Sequence, residues 1–128
     1  MGNEALKPVE DLTFREAMAE LDGIVGVLES NTLELEDSLA SYERGVALLR
    51  ALQYYNENDR VHALVNAVKA DQIDEIKRIL IESGRSSWMY LQNVYAKNSP
   101  EQPLCVALSM AEYMLHDCGA YRVHGGGF

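Results

Sequence analysis

The sequence predicts a mainly α-helical protein, in which a helical hairpin is followed by three or four further helices in one bundle-like domain. Three observations predict this fold class. Apolar residues recur at spacings of three and four along most of the chain, which is the period of an amphipathic helix. Helix-start signals stand at Thr13 and Ser99. The length of 128 residues is that of one domain, and 48% apolar with 24% charged residues is ordinary for a chain that folds.

The first helix begins after Thr13, because Thr13 and Glu16 form the pattern of a capping box, which satisfies free backbone amides. Turn-forming residues at 29–32 end this helix. One of its faces is apolar and consists of Phe14, Met18, Leu21, Val25 and Leu28, widened by Ala17 and Ile24.

The second helix begins near Glu34, because acidic side chains in its first turn suit the partial positive charge of a helix N-terminus. The two helices therefore form an antiparallel hairpin. Two narrow apolar stripes bury too little surface to offset the ordering of both helices. The hairpin must then dock on the rest of this chain, on a second copy or on another protein. The stripe of the second helix is Leu35, Leu39, Tyr42, Val46, Leu49 and Leu52.

The remainder of the chain contains further helix signals and one short alternating segment. A helical pattern over residues 61–68 leaves open whether the second helix continues to residue 70 or bends at the polar residues 56–59. Three more helices are predicted over residues 71–84, 86–95 and 99–117, and residues 120–124 alternate as in a short strand.

The charge of the chain argues against direct nucleic-acid binding. The net charge is −9, and residues 1–50 hold 11 acidic and 4 basic side chains, whereas residues 51–128 hold 9 and 7. Nucleic-acid affinity comes largely from Lys and Arg side chains that neutralise phosphates. A groove made by this chain alone would repel DNA, so a role near DNA requires a basic partner.

Neither a membrane span nor a disulfide framework is indicated. The sequence has no run of 18 apolar residues, and its first eight residues lack the basic and apolar regions of a signal peptide. Cys105 and Cys118 are thirteen residues apart, without the paired spacing of a zinc site. We therefore expect a cytoplasmic protein with reduced thiols.

Local patterns predict no catalytic group, metal site or cofactor. Residues 116–118, His-Asp-Cys, have the composition of a nucleophile with a base, or with His124 that of a metal site. A helix C-terminus with a favourable histidine is the simpler interpretation. The glycines at 125–127 are not followed by a helix and are interpreted locally as a flexible tail. The tyrosines and Trp88 lack the interleaved basic residues of a base-stacking surface.

Residues 13–50 resemble the exodeoxyribonuclease VII small subunit. The most specific segments are Leu-Glu-Ser at 28–30, Leu-Glu-Asp-Ser-Leu at 35–39 and Tyr-Glu-Arg-Gly-Val at 42–46. The resemblance implies a small, helical, non-catalytic subunit that binds the large nuclease subunit, in a complex that degrades single-stranded DNA. On this hypothesis the partner-binding residues are Phe14, Leu21, Leu28, Leu35, Leu39, Tyr42 and Val46.

From about residue 51 the chain resembles the C-terminal region of a galactokinase of the GHMP kinase superfamily. The similar segments are residues 82–87, residues 90–95 and, most specifically, Tyr-Arg-Val-His-Gly-Gly-Gly-Phe at 121–128. This resemblance implies that Gly125, Gly126 and Gly127 descend from a loop near the nucleotide phosphates. The N-terminal nucleotide loop, the galactose-recognition segment and the catalytic aspartate of that family have no counterpart here, so phosphate transfer is not expected.

Together the two resemblances predict a fusion: an N-terminal tail over residues 1–12, a small-subunit hairpin over 13–50 and an inactive galactokinase fragment over 51–128. The sequence leaves open whether such a fusion is natural or engineered, and the incompleteness of both fragments favours an engineered or selected chimera. The expected partner is the large nuclease subunit or a second copy of the chain, without catalysis or direct nucleic-acid binding. Two alternatives stay open: a kinase remnant that binds Mg-ATP through the glycines at 125–127, and a structural protein with no ligand.

Overall fold

The computed structural model of the chain describes residues 5–124 and consists of four α-helices and one short 3₁₀ helix. The mainly α-helical class predicted from the sequence is confirmed. Within the described part of the chain no residue belongs to a strand, so the strand predicted over 120–124 is wrong. A single strand without a partner leaves its backbone groups unpaired. The elements are the 3₁₀ helix Val9–Asp11, α1 (Phe14–Ser30), α2 (Leu35–Lys69), α3 (Ile73–Leu91) and α4 (Pro103–Leu115).

The helices are fewer than the sequence pattern predicted, because the expected end of a helix near Gly84 is absent and the open question of a bend at residues 56–59 is resolved in favour of one helix. Helix α4 is shorter than predicted, because it begins at Pro103 and not after Ser99. Helix α2 continues through the polar residues 56–59 and has 35 residues, a length of about 52 Å at 1.5 Å per residue. Those residues contain neither Pro nor Gly, and the Glu57–Arg60 ion pair at 3.0 Å lies along the same helix. Helix α3 continues through Gly84, because one glycine weakens a helix without ending it.

The chain folds as two compact units, with the division after Tyr55, inside α2. The first unit holds the 3₁₀ helix, α1 and the first part of α2. Its buried core consists of Leu12, Ala17, Leu48 and Leu52, against which Val9, Leu21 and Ile24 pack.

The predicted capping box fixes the start of α1. The Thr13 amide donates to Glu16 Oε2 at 2.7 Å, and the Glu16 amide donates to Thr13 Oγ1 at 3.3 Å. Because its carboxylate accepts the hydrogen bond from the Thr13 amide, the pKa of Glu16 is lowered below its ordinary value. The helix ends at Asn31, which has a left-handed φ of 53°.

Helices α1 and α2 approach each other closely at Gly45. A Cβ atom at Gly45 would lie 3.7 Å from Ile24 Cγ2 and 3.9 Å from Leu21 Cδ1, so the backbone of α2 lies directly against α1. At the start of α1, the Tyr55 hydroxyl donates to the Leu12 carbonyl at 2.7 Å, and its ring meets that of Phe14 edge-on. The first unit is thus the antiparallel hairpin that the sequence predicted.

The second unit contains the rest of α2 with α3 and α4. Arg85 on α3 pairs with Glu112 on α4 at 2.8 Å. The segment after α4 returns to α3, where Arg122 packs on Gly84. The Arg122 guanidinium donates to the Ser83 hydroxyl, which in turn donates to Glu57. One polar network therefore connects α2, α3 and this returning segment.

Candidate functional site

The candidate site is an apolar surface of the hairpin that the first unit leaves open to water. The exposed fractions of its side chains range from 40% for Met18 to 85% for Leu35. A folded domain usually buries side chains of this size. We call this surface the docking face, and it consists of Phe14, Met18, Val25, Leu35, Leu39 and Tyr42.

The docking face exists because α2 is apolar on two sides. The residues of α2 that are buried against α1 are Gly45, Leu48 and Leu52. The exposed members of the stripe predicted from the sequence, Leu35, Leu39 and Tyr42, lie about 100° around the helix from those residues, at about 100° per residue. Leu52, the last residue of that predicted stripe, is instead buried. Helix α1 therefore covers one apolar side of α2 and leaves the other uncovered.

The register of the hairpin places the exposed residues of the two helices side by side. Gly45 lies level with Leu21 and Ile24. In an antiparallel pair with this register, Val25 lies at about the height of Tyr42. Both residues point to the same side of the hairpin, so α1 and α2 contribute to one continuous surface.

The opposite side of the hairpin is polar and fixed by an ion pair. Arg44 Nε lies 2.6 Å from Glu20 Oε1, and both side chains are mostly buried. Hydrogen bonding to Glu20 raises the pKa of Arg44. The same guanidinium donates to the Lys7 carbonyl at 2.6 Å. This contact ties the N-terminal segment to the polar side and away from the docking face.

The seven residues predicted to bind a partner fall into two groups. Phe14, Leu35, Leu39 and Tyr42 are exposed on the docking face, whereas Leu21, Leu28 and Val46 are half-buried. Their role in binding stays a prediction. The predicted set omitted Met18 and Val25, although both stand in the apolar pattern of α1, four residues after Phe14 and four residues after Leu21.

The residues considered for chemistry do not form a catalytic constellation in the described part of the chain. His116 Nδ1 lies 2.8 Å from Asp117 Oδ2, and both side chains are almost fully exposed. Cys118 is exposed and Cys105 half-buried. Across residues 5–124 no group of three His, Cys, Asp or Glu side chains could hold a metal ion. Gly125, Gly126 and Gly127 lie outside the described residues.

No helix described by the structure is long and apolar enough to cross a membrane. The longest one, α2, carries charged residues in both its first and last turns.

The fold and the docking face define a class: small helical-hairpin proteins with an uncovered apolar surface. The model of the exonuclease VII small subunit family matches residues 14–54. The exodeoxyribonuclease 7 small subunit of Dechloromonas aromatica is 34% identical over 76 residues, which cover 59% of this chain and 94% of that protein. This chain belongs to the exonuclease VII small subunit family.

Other relatives match a shorter part of the chain. The small subunit of Aliivibrio salmonicida is 53% identical over 49 residues, which are 38% of this chain and 61% of that protein. That of Paracoccus zeaxanthinifaciens is 51% identical over 43 residues, or 34% of this chain and 55% of that protein. The chain thus spans about three-fifths of the length of the first of these relatives. No solved structure matches the chain.

The comparisons confirm the small-subunit resemblance that was predicted over residues 13–50. The family match runs four residues past that segment and ends at residue 54, just before the division between the two units. The 76-residue match to the D. aromatica protein is longer than the family segment. Similarity to that relative therefore extends beyond residues 14–54.

Proposed function

We propose that this chain is a non-catalytic, cytoplasmic, protein-binding subunit that docks its hairpin on the large subunit of exodeoxyribonuclease VII. The observation on which the proposal rests is the docking face, where large apolar side chains of a folded hairpin stay in water. Exposed apolar surfaces of this kind mark protein interaction sites. The names of the relatives support the same partner, because a small subunit implies a larger one.

The size of the docking face is suited to an interface with further contacts around it. Fully covering a large apolar side chain contributes about 1.5–3 kcal/mol, so six partly exposed side chains supply on the order of 5–10 kcal/mol. Association itself costs about 4–15 kcal/mol in lost translational and rotational freedom. The apolar contacts therefore leave little surplus, and polar contacts at the border of the face have to add to the affinity.

Two valines of α1 provide a matched test. Val25 lies on the docking face and is 45% exposed, whereas Val27 is 42% exposed and points to the side of Glu20. We expect Val25→Glu to weaken binding to the purified A. salmonicida large subunit at least tenfold, because a carboxylate would be buried in an apolar contact. Val27→Glu should stay within about twofold of the unchanged chain, since Val27 lies seven residues after Glu20, on the opposite side of the hairpin from the docking face.

The same test has a second variant and a folding control. Leu39→Glu places a charge on the docking face from the other helix, so its loss of binding should match that of Val25→Glu. Leu21 and Val46 are poor choices, because both are half-buried and their substitution would disturb the hairpin. Circular dichroism establishes that each variant keeps its helix content. Equal binding by the Val25 and Val27 variants would refute the proposed surface.

Self-association is the other predicted use of the docking face, and sedimentation of the chain alone tests it. A dimer that Val25→Glu dissociates and Val27→Glu leaves intact would assign the face to a second copy. A monomer that binds the large subunit supports the proposal as stated.

For residues 51–128 we propose an inactive fragment of galactokinase type, fused to the hairpin. The support is the resemblance of residues 82–87, 90–95 and 121–128. The rival hypothesis is a remnant that still binds Mg-ATP through the glycines at 125–127. Titration calorimetry of the whole chain with Mg-ATP decides between them, because the inactive fragment should give no binding heat at millimolar nucleotide.

A further inference from the structure

The docking face is bordered by carboxylates along both of its outer edges. On α2, Glu36 lies three residues before Leu39 and Glu43 four residues after it, so both neighbour Leu39 on the helix surface. On α1, Asp22 and Glu29 take the corresponding places beside Met18 and Val25. All four carboxylates are exposed.

These border carboxylates are not neutralised within the first unit. Residues 5–55 hold ten acidic and four basic side chains. The ion pairs of this unit, in the part that the structure describes, are Lys7–Glu16 and Arg44–Glu20, and neither includes a border carboxylate. The two other cations, Arg15 and Arg50, lie toward the opposite end of the hairpin from the α1–α2 turn. The turn half of the docking face is therefore apolar at its centre and negative at its edges.

We infer that the surface covering the docking face is apolar at its centre and carries Lys or Arg side chains opposite Asp22, Glu29, Glu36 and Glu43. Covering the face with a neutral or acidic surface would take these carboxylates partly out of water without a compensating partner. Basic side chains opposite them would add attraction and guide the encounter. The inference rests on the proposed function, since it specifies the chemistry of the partner at that same face.

The same charges argue against a second copy as the occupant. Two docking faces placed against each other would bring two sets of four border carboxylates to one interface, and like charges across an interface oppose association. The chain also has a net charge of −9, which adds repulsion between copies at low salt. A different, basic protein surface fits the face better.

A matched pair of double variants tests the inference with the full chain and the A. salmonicida large subunit. Glu36→Gln with Glu43→Gln removes two border charges, whereas Glu34→Gln with Asp37→Asn removes one charge immediately before α2 and one in its first turn, neither of them a border carboxylate. Both doubles change the net charge equally, and each removes one carboxylate from the first turn of α2. Any difference between them therefore reports local contacts of the border carboxylates.

In calorimetry at about 0.1 M salt, we expect the Glu36/Glu43 double to bind about fivefold more weakly than the unchanged chain. The Glu34/Asp37 double should stay within about twofold. Raising the salt to about 0.5 M should weaken the unchanged chain and bring it close to the Glu36/Glu43 double, because salt screens exposed pairs.

The experiment distinguishes failure of the basic-border inference from failure of the proposed function. Binding that is independent of salt, or equal for the two doubles, would overturn the basic-border inference and leave the proposed function standing. Absence of binding by the unchanged chain at both salt concentrations would overturn the proposed function, and this inference would fall with it.

Discussion

Replacing Gly84 by alanine should destabilise the second unit, although alanine is the better helix former. Gly84 lies inside α3, where Ala is favoured over Gly by about 0.5–1 kcal/mol. An added Cβ would stand 2.6 Å from Arg122 Cβ and 3.3 Å from Arg122 Cα, so the neighbour is backbone and the first atom of a side chain rather than a flexible end.

The steric term outweighs the helix preference. An extra methyl group in a tight contact costs about 1–3 kcal/mol, and here it also displaces the Arg122 side chain from Ser83 and Glu57. Subtracting the gain in helix preference leaves a net loss of about 1–2 kcal/mol in the free energy of unfolding. Urea denaturation of the full chain, followed by Trp88 fluorescence, measures this loss in the second unit.

Two controls separate the steric cost from the helix preference. Gly26 has no atom within 4 Å of an added Cβ, so Gly26→Ala should stabilise the first unit by about 0.5–1 kcal/mol. In an Arg122→Gly background, the methyl group added at residue 84 no longer meets the Arg122 side chain. The loss in the free energy of unfolding caused by Gly84→Ala should therefore be smaller. A Gly84→Ala protein that is as stable as the unchanged chain would refute the close contact between Arg122 and α3.

Two further predictions concern the first unit. Leu48 is fully buried, so Leu48→Ala should lower the free energy of unfolding by about 2–5 kcal/mol. Leu39 lies on the exposed docking face, so Leu39→Ala should change the free energy of unfolding by no more than about 0.5 kcal/mol. Urea denaturation followed by circular dichroism compares the two variants, and equal losses would contradict the burial described for α2. Glu16 has a pKa below its ordinary value of 4.5 because Thr13 donates to its carboxylate, so it stabilises the hairpin above pH 4.5 and that contribution is lost as the pH falls through the lower folded pKa. Glu16→Gln should therefore flatten the fall in stability on acidification, and an unchanged pH profile would contradict the capping interaction.

The sequence was sufficient to predict the hairpin, because its signals are local. The Thr13–Glu16 capping box and the three-and-four spacing of α1 lie within a few turns of one helix. The sequence left open whether α2 bends at residues 56–59, and the helix end predicted near Gly84 was wrong, because polar residues and a single glycine disfavour a helix only weakly and neighbouring contacts decide the outcome.

The docking face could be predicted only in part. The spacing of Leu35, Leu39 and Tyr42 identifies an apolar stripe, but α2 has a second one, and spacing alone does not decide which of them α1 covers. That choice depends on the close approach at Gly45 and on the Arg44–Glu20 pair, which joins residues 24 positions apart. Contacts between residues so far apart in the sequence leave no periodic signal in it.

The border carboxylates also affect the solubility of the chain on its own. An exposed apolar surface promotes precipitation of a free protein, whereas a net charge of −9 keeps the molecules apart at neutral pH. This charge repulsion is lost near the isoelectric point of about 4.7, where we expect the protein to aggregate. The border carboxylates contribute to this charge and thus help to keep the free chain dispersed in solution.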